Sequence, residues 1–238
     1  MLVEIWSDLV CPWCYIGKRR FEKALAGFDH RDRVEVVHRS FQLDPSAPHG
    51  EVRDQAEMLS AKLGMPPERV RALNTEMEHR AAEDGLEYNL SGGTVGNTAD
   101  AHRLIHLARD AGLQGPVIEA FYRAHFTDRR SLFDPDSLVE LAAEAGLDPG
   151  AARAVLDSDR YAADVQTDQV EAQQLGATGV PFFVVDGRYG VSGAQPTETF
   201  TQVLARAWAE SRPPVTIAAG DGGACDGDAC AVPAEPRG

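Results

Sequence analysis

Short apolar runs stand at both ends of this chain, and a long stretch of three-to-four-residue periodicity lies between them. Leu2-Val3-Glu4-Ile5-Trp6 opens a strand predicted over residues 2–7. Residues 12–28 read as a helix with Ile16, Phe21, Leu25 and Phe28 on its apolar side. Residues 34–41, rich in β-branched side chains, read as a second strand. That β-α-β order implies a parallel pair with a right-handed crossover. From about residue 52 to 176 the pattern is helical throughout, with Gly64, Gly85, Gly112 and Gly146 at helix ends. Pro66, Pro116 and Pro135 stand near helix starts. The 3.6-residue period is plain in Leu138, Leu141, Ala142 and Ala145, and again through Leu104, Ile105, Leu107 and Ala108. Roughly six or seven helices are expected there. Strand character returns at Val180–Val185, Asp186-Gly187 predicts a hairpin turn, and Tyr189–Ser192 forms the return strand. Residues 197–211 close the pattern as a helix, with Leu204 and Trp208 at i,i+4. The expected class is α/β: β-α-β and β-β-α halves around a large inserted all-α domain. Residues 1–48 and 177–212 would form one discontinuous unit, and 49–176 the insertion. Residues 213–238, rich in Gly and Pro, would be a flexible tail.

Composition narrows the partners. The 238 residues, 43% hydrophobic and 25% charged, suit an ordinary globular protein with a large core. A net charge of −14 argues against nucleic acid and anionic membrane, which both favour basic patches. No apolar run approaches the roughly 20 residues of a membrane span. Glu4 and Asp8 interrupt the first apolar stretch, so no signal peptide is read there and a cytoplasmic protein is expected.

The chemistry sits at Cys11-Pro12-Trp13-Cys14, directly behind the first strand. A strand running into Cys-x-x-Cys at the start of a helix reads as a thiol–disulfide redox site. The first free amides of the helix favour a thiolate at Cys11. Pro12 suits the first helical turn, because it has no N–H to leave unpaired. Cys14 lies three residues on, within reach of Cys11. The other two cysteines, Cys225 and Cys230, lie in the tail, and the middle of the chain has none. Two local pairs favour chemistry over a disulfide scaffold. A zinc site would want a second x2 pair, and the tail pair is x4. No metal is therefore expected. His102 and His106, four apart, read as a satisfied pair for want of a third ligand, and Asn97 and Thr98 read as a helix N-cap. Trp13, between the cysteines, is the better substrate contact of Trp13 and Trp6.

Together with Gly179-Val180-Pro181-Phe182-Phe183, the strand–CPWC–helix start resembles thioredoxin-fold proteins of the DsbA family, most closely a cytoplasmic FrnE-like branch. Ser40–Pro45 and Asn97–Leu104 are similar to that branch as well, and the likeness covers residues 1 to about 212. The resemblance implies a dithiol–disulfide oxidoreductase, with isomerase activity within its range, acting on cysteine-containing proteins. Cys11 would attack, Cys14 would resolve, and a cis Val180-Pro181 bond would present the Val180 backbone to a substrate strand. Pro12 and Trp13 would support the site. No bound cofactor is implied; glutathione or another cellular thiol would serve as redox partner. Trp13 stands where many secreted members have His, and it offers no cationic donor. Some members also carry a C-terminal Cys-x4-Cys, which Cys225 and Cys230 match. Residues 213–224 would tether that pair over about 17–21 Å, against a folded radius near 17 Å. Asp226 and Asp228 disfavour its thiolates, so it would relay electrons to an oxidised Cys11–Cys14. Two rivals are a glutathione-dependent enzyme like the kappa-class transferases and 2-hydroxychromene-2-carboxylate isomerases, which carry serine in place of Cys11, and a redox-switched holdase.

Overall fold

The first strand, β1 (Leu2–Ser7), sits centrally in a four-stranded sheet because both its faces are covered. The computed structural model of the protein describes residues 1–211. In the order β2-β1-β5-β6, β2 (Glu35–Ser40) pairs parallel to β1, while β5 (Phe182–Val185) pairs antiparallel to β1 and β6 (Tyr189–Ser192) antiparallel to β5. The period-2 alternation sorts the side chains. Val3, Ile5, Phe183 and Val185 face α1 (Pro12–Ala26) and α9 (Thr197–Glu210), where they meet Phe21, Phe200 and Leu204. Trp6, Phe182 and Val184 face the other way, against Phe41 and Ala172 of α8 (Ala162–Gln174). The β5–β6 turn has positive φ at both Asp186 and Gly187 (56° and 64°), the twist that a tight hairpin favours. This is the thioredoxin fold in its β-α-β / β-β-α form.

Between β2 and β5 lie seven helices: α2 (Gln55–Leu63), α3 (Pro67–Glu83), α4 (Ala99–Asp110), α5 (Gln114–Phe126), α6 (Pro135–Glu144), α7 (Pro149–Leu156) and α8. Asp54, Asp134 and Asp148 cap α2, α6 and α7, each accepting from a backbone N–H three residues on. Gly64 ends α2 in the left-handed region at φ 64°. The segment is not helical throughout. β3 (Val52–Asp54) pairs with β4 (Thr94–Gly96) as a two-stranded antiparallel sheet. Three-residue strands are too short for alternation to show, and their partners lie far apart in the chain. The insertion does not fold away from the rest. One core runs from Cys11, Cys14 and Ile16 through Leu104, Phe121 and Tyr122 to Leu138 and Val155. Asp168 ties the same regions together, accepting from Arg39 Nη1 at 3.1 Å and from the Ser40 N–H at 2.8 Å, with His106 Nε2 3.1 Å away. Among the described residues, no helix is long and apolar enough to cross a membrane. Cys225, Cys230 and the tail lie outside the described residues.

Candidate active site

Cys11 is the N-cap of α1, with extended backbone (φ −91°, ψ 111°), and Pro12 occupies the first helical position. The loop from β1 is closed by the Cys11 N–H, which donates to the Asp8 carbonyl at 3.2 Å, and by the Cys14 N–H, which donates to the Cys11 carbonyl at 3.0 Å. Both cysteines are free thiols. Cys11 keeps 6% of its surface exposed and Cys14 only 1%, so a partner sulfur meets Cys11 first. Burial, then the hydrogen bond that the Cys14 thiol donates to Cys11, pushes the Cys14 thiol well above its ordinary range. The pair is therefore asymmetric: Cys14 remains a protonated thiol while Cys11 occupies the helix N-terminus.

The Val180-Pro181 peptide bond is cis and lies against the cysteines. The Cys11 thiol donates to the Val180 carbonyl at 3.6 Å. On the far side Pro181 packs on Gly17 of α1 so closely that a Cβ at Gly17 would stand 2.9 Å from Pro181 Cγ. Glycine at 17 is thus what lets the loop and α1 meet. The Pro181 carbonyl accepts from the Gly193 N–H at 2.8 Å, which anchors the loop to the end of β6. Tyr88 donates its hydroxyl to the Pro12 carbonyl at 2.7 Å and holds the cysteine turn from the insertion.

Beside this turn opens a cavity of about 620 Å³. Its floor is Pro12 and Trp13, and its far wall is Met58, Leu63, Leu73 and Met77 from α2 and α3. Trp13 is half-buried, and the Arg80 guanidinium lies 5.9 Å from its ring centroid. Trp6 is core, 1% exposed, and its Nε1 donates to the Asp168 carbonyl at 2.8 Å. The apolar hollow is enclosed by the insertion and the cysteine turn rather than by the sheet, because α8 covers the sheet face.

The structure thus joins Cys11, Pro12, Trp13, Cys14, Val180 and Pro181 in one place. His102 and His106 face different carboxylates, Asp8 and Asp168, rather than a shared point. The α4 cap differs from expectation. Thr98 makes no side-chain cap, and the Asn97 carboxamide accepts from the Ala99 N–H at 2.8 Å instead. Asn97 also donates to the Ala47 carbonyl at 2.6 Å, so it pins the loop after β2, and Thr98 lines the cavity. Asp8, Tyr88 and Arg80 join the site, Tyr88 and Arg80 without a signal in the sequence. Only Asp8, a carboxylate three residues before Cys11 at the end of a buried strand, left a trace there.

A thiol pair at a helix N-terminus opposite a cis-proline defines a thioredoxin-fold redox protein with a helical insertion. The model of the DSBA-like thioredoxin domain matches residues 2–205, and the chain belongs to that family. It is similar to a probable DsbA oxidoreductase of Streptomyces coelicolor, 54% identical, with a TM-score of 0.86, over 98% of this chain and 100% of that one. The uncharacterized protein YwbO of Bacillus subtilis (strain 168) is 27% identical over 205 residues, 85% of this chain and 94% of that protein. The cytosolic disulfide reductase DsbM of Pseudomonas aeruginosa shares the fold, with a TM-score of 0.59 and 19% identity over 88% of this chain and 100% of that one.

Proposed function

We propose that the chain is a dithiol–disulfide oxidoreductase acting on protein disulfides in the cytoplasm, with Cys11 as the attacking thiolate and Cys14 as the resolving thiol. The observation that carries this reading is the asymmetry of the pair: a slightly exposed Cys11 against Val180, and a protonated, buried Cys14 behind it. Cys11 attacks one sulfur of a substrate disulfide, the other substrate sulfur leaves as a thiolate, and a mixed disulfide forms. Cys14 then attacks Cys11, releasing the second substrate thiol and leaving Cys11–Cys14 oxidised. A cellular thiol restores the dithiol. The apolar cavity beside Trp13 suits a side chain of an unfolded substrate segment. The fold's use by a cytosolic disulfide reductase supports the compartment.

The test is trapping. Cys14→Ser should accumulate a mixed disulfide with a protein substrate, detected by mass, while Cys11→Ser forms none and loses turnover. Turnover by Cys11→Ser would overturn the reading. An absolute requirement for glutathione as co-substrate would replace it with the glutathione-dependent class.

A further inference from the structure

The cavity over Trp13 is larger than the exchange above has use for. Its volume of about 620 Å³ is that of a site for a whole small molecule, about 300–1,000 Å³. A client side chain would fill only part of it. Neither cysteine borders the cavity, and neither does Val180 or Pro181. It opens on the Pro12–Trp13 side of the cysteine turn, whereas the Cys11 thiol donates to the Val180 carbonyl. It is therefore a compartment apart from the reacting sulfurs, and what it holds needs no thiol.

The walls define the chemistry of an occupant. Met58 and Leu63 of α2 and Leu73 and Met77 of α3 are apolar, and the two thioethers adapt to a variable shape. Most polar side chains of the lining are already engaged. Asn74 donates to the Gln55 carboxamide oxygen at 3.3 Å. Arg53 lies 3.5 Å from Asp44, whose other oxygen accepts from Ser46 at 2.7 Å. Arg80 Nη2 donates to Glu76 at 2.6 Å. Asp8 is 1% exposed, accepts from the Leu43 N–H at 2.7 Å and faces His102. An inserted polypeptide would bring backbone N–H and C=O groups that find few partners there, at a cost for each. A hydrocarbon body brings none. Leu43 and Leu63, two large apolar side chains left 44% and 48% exposed, both border the cavity, so its apolar surface continues to the rim.

One charge at that rim lacks a counter-charge. Lys62 borders the cavity and makes no ion pair or hydrogen bond among the described residues. Its field reaches Asp44, but that carboxylate is taken up by Arg53 and Ser46. We infer that the cavity binds an amphipathic carboxylic acid, its hydrocarbon body along Met58, Leu73 and Met77 over Trp13 and its carboxylate at Lys62. Burial of apolar area supplies the affinity, and the ammonium orients the ligand. The binding uses no thiol, so it stands apart from the dithiol reading and the two fail separately.

Decanoate and dodecanoate are the probes, titrated as monomers into the full-length protein in a calorimeter. Each should saturate at one molecule per chain. The two extra methylenes of dodecanoate should tighten binding about fifteenfold, at about 0.8 kcal/mol each. Lys62→Met should weaken decanoate about two- to fivefold, the range of an exposed ion pair, and leave decanol unchanged. Met77→Trp fills the cavity and should abolish binding of both acids. Met58→Gln places an amide in the apolar wall and should weaken both at least about tenfold. Thermal melts establish that each variant is folded, and the two wall variants sit on different helices, so one can fail to fold without removing the test. No saturable binding, equal affinity for the two acids, or full affinity in the folded wall variants would overturn the inference. So would binding of an apolar peptide with neither acid bound, which would leave the cavity to client segments alone.

Discussion

Acidification should weaken this fold well above the carboxylate range, and His38 is the reason. Its side chain is 7% exposed on β2, and Nδ1 has no hydrogen-bond partner. Burial, then the nearby Lys18 ammonium, lowers its pKa to about 3 from 6.5. The unfolded chain takes up a proton near pH 6.5 that the folded protein refuses until near pH 3. The stability concerned is therefore full above about pH 6.5 and lost as pH falls from there toward 3. At pH 5 the chain is about 1.5 units into that window, at about 1.4 kcal/mol per unit, so His38 alone costs about 2 kcal/mol. The complete loss, about 5 kcal/mol, equals the lower end of a typical domain's stability. His125, lowered to about 4 but only half-buried, adds a smaller loss of the same sign. Urea unfolding at pH 7 and pH 5, followed by the fluorescence of buried Trp6, measures it. His38→Gln removes the titration and keeps the backbone contacts of residue 38, which are made to the Gln114 carboxamide at 2.9 Å. The variant should lose about 2 kcal/mol less than the wild type between the two pH values. Equal losses in the two proteins would refute the argument.

Three further outcomes are expected. Gly17→Ala places a methyl 2.9 Å from Pro181 Cγ and should destabilise by about 1–3 kcal/mol, with a fall in disulfide turnover as the Val180-Pro181 loop moves from Cys11; thermal melts and turnover assays check both effects. Asp168→Ala leaves Arg39 and His106 without their buried carboxylate and should cost about 3–5 kcal/mol at pH 7. Because its contacts hold the Asp168 carboxyl below the usual range, that contribution is present above about pH 4 and fades at lower pH, so variant and wild type should converge in acid. Ending the chain at Arg212 should slow re-reduction of oxidised Cys11–Cys14 by a monothiol if Cys225 and Cys230 relay electrons; unaltered turnover would dismiss the relay.

Sequence alone carried the local features. The apolar runs determine β1, β2, β5 and β6, because alternation and β-branching act over a few residues. CPWC at a strand–helix junction marks the candidate cysteine pair, and GVPFF ahead of the hairpin marks, through the family resemblance, the proline that faces it. The helices of the insertion are legible from their period, and several of their ends from Pro and Gly, while the Asp caps at 54, 134 and 148 are seen only in the structure. Tertiary structure decided what depends on distance through space. It brought Pro181 onto Gly17 and Val180 onto Cys11, 164 and 169 residues away along the chain. The short β3–β4 pairing, the Tyr88 bond to the cysteine turn and the cavity over Trp13 are contacts between segments with no common local pattern. Asp8 shows the division best. In the sequence it only interrupts an apolar run. The fold buries it to 1% exposure, with His102 Nε2 3.4 Å from its Oδ1, and burial is a property of the folded chain that no local pattern encodes.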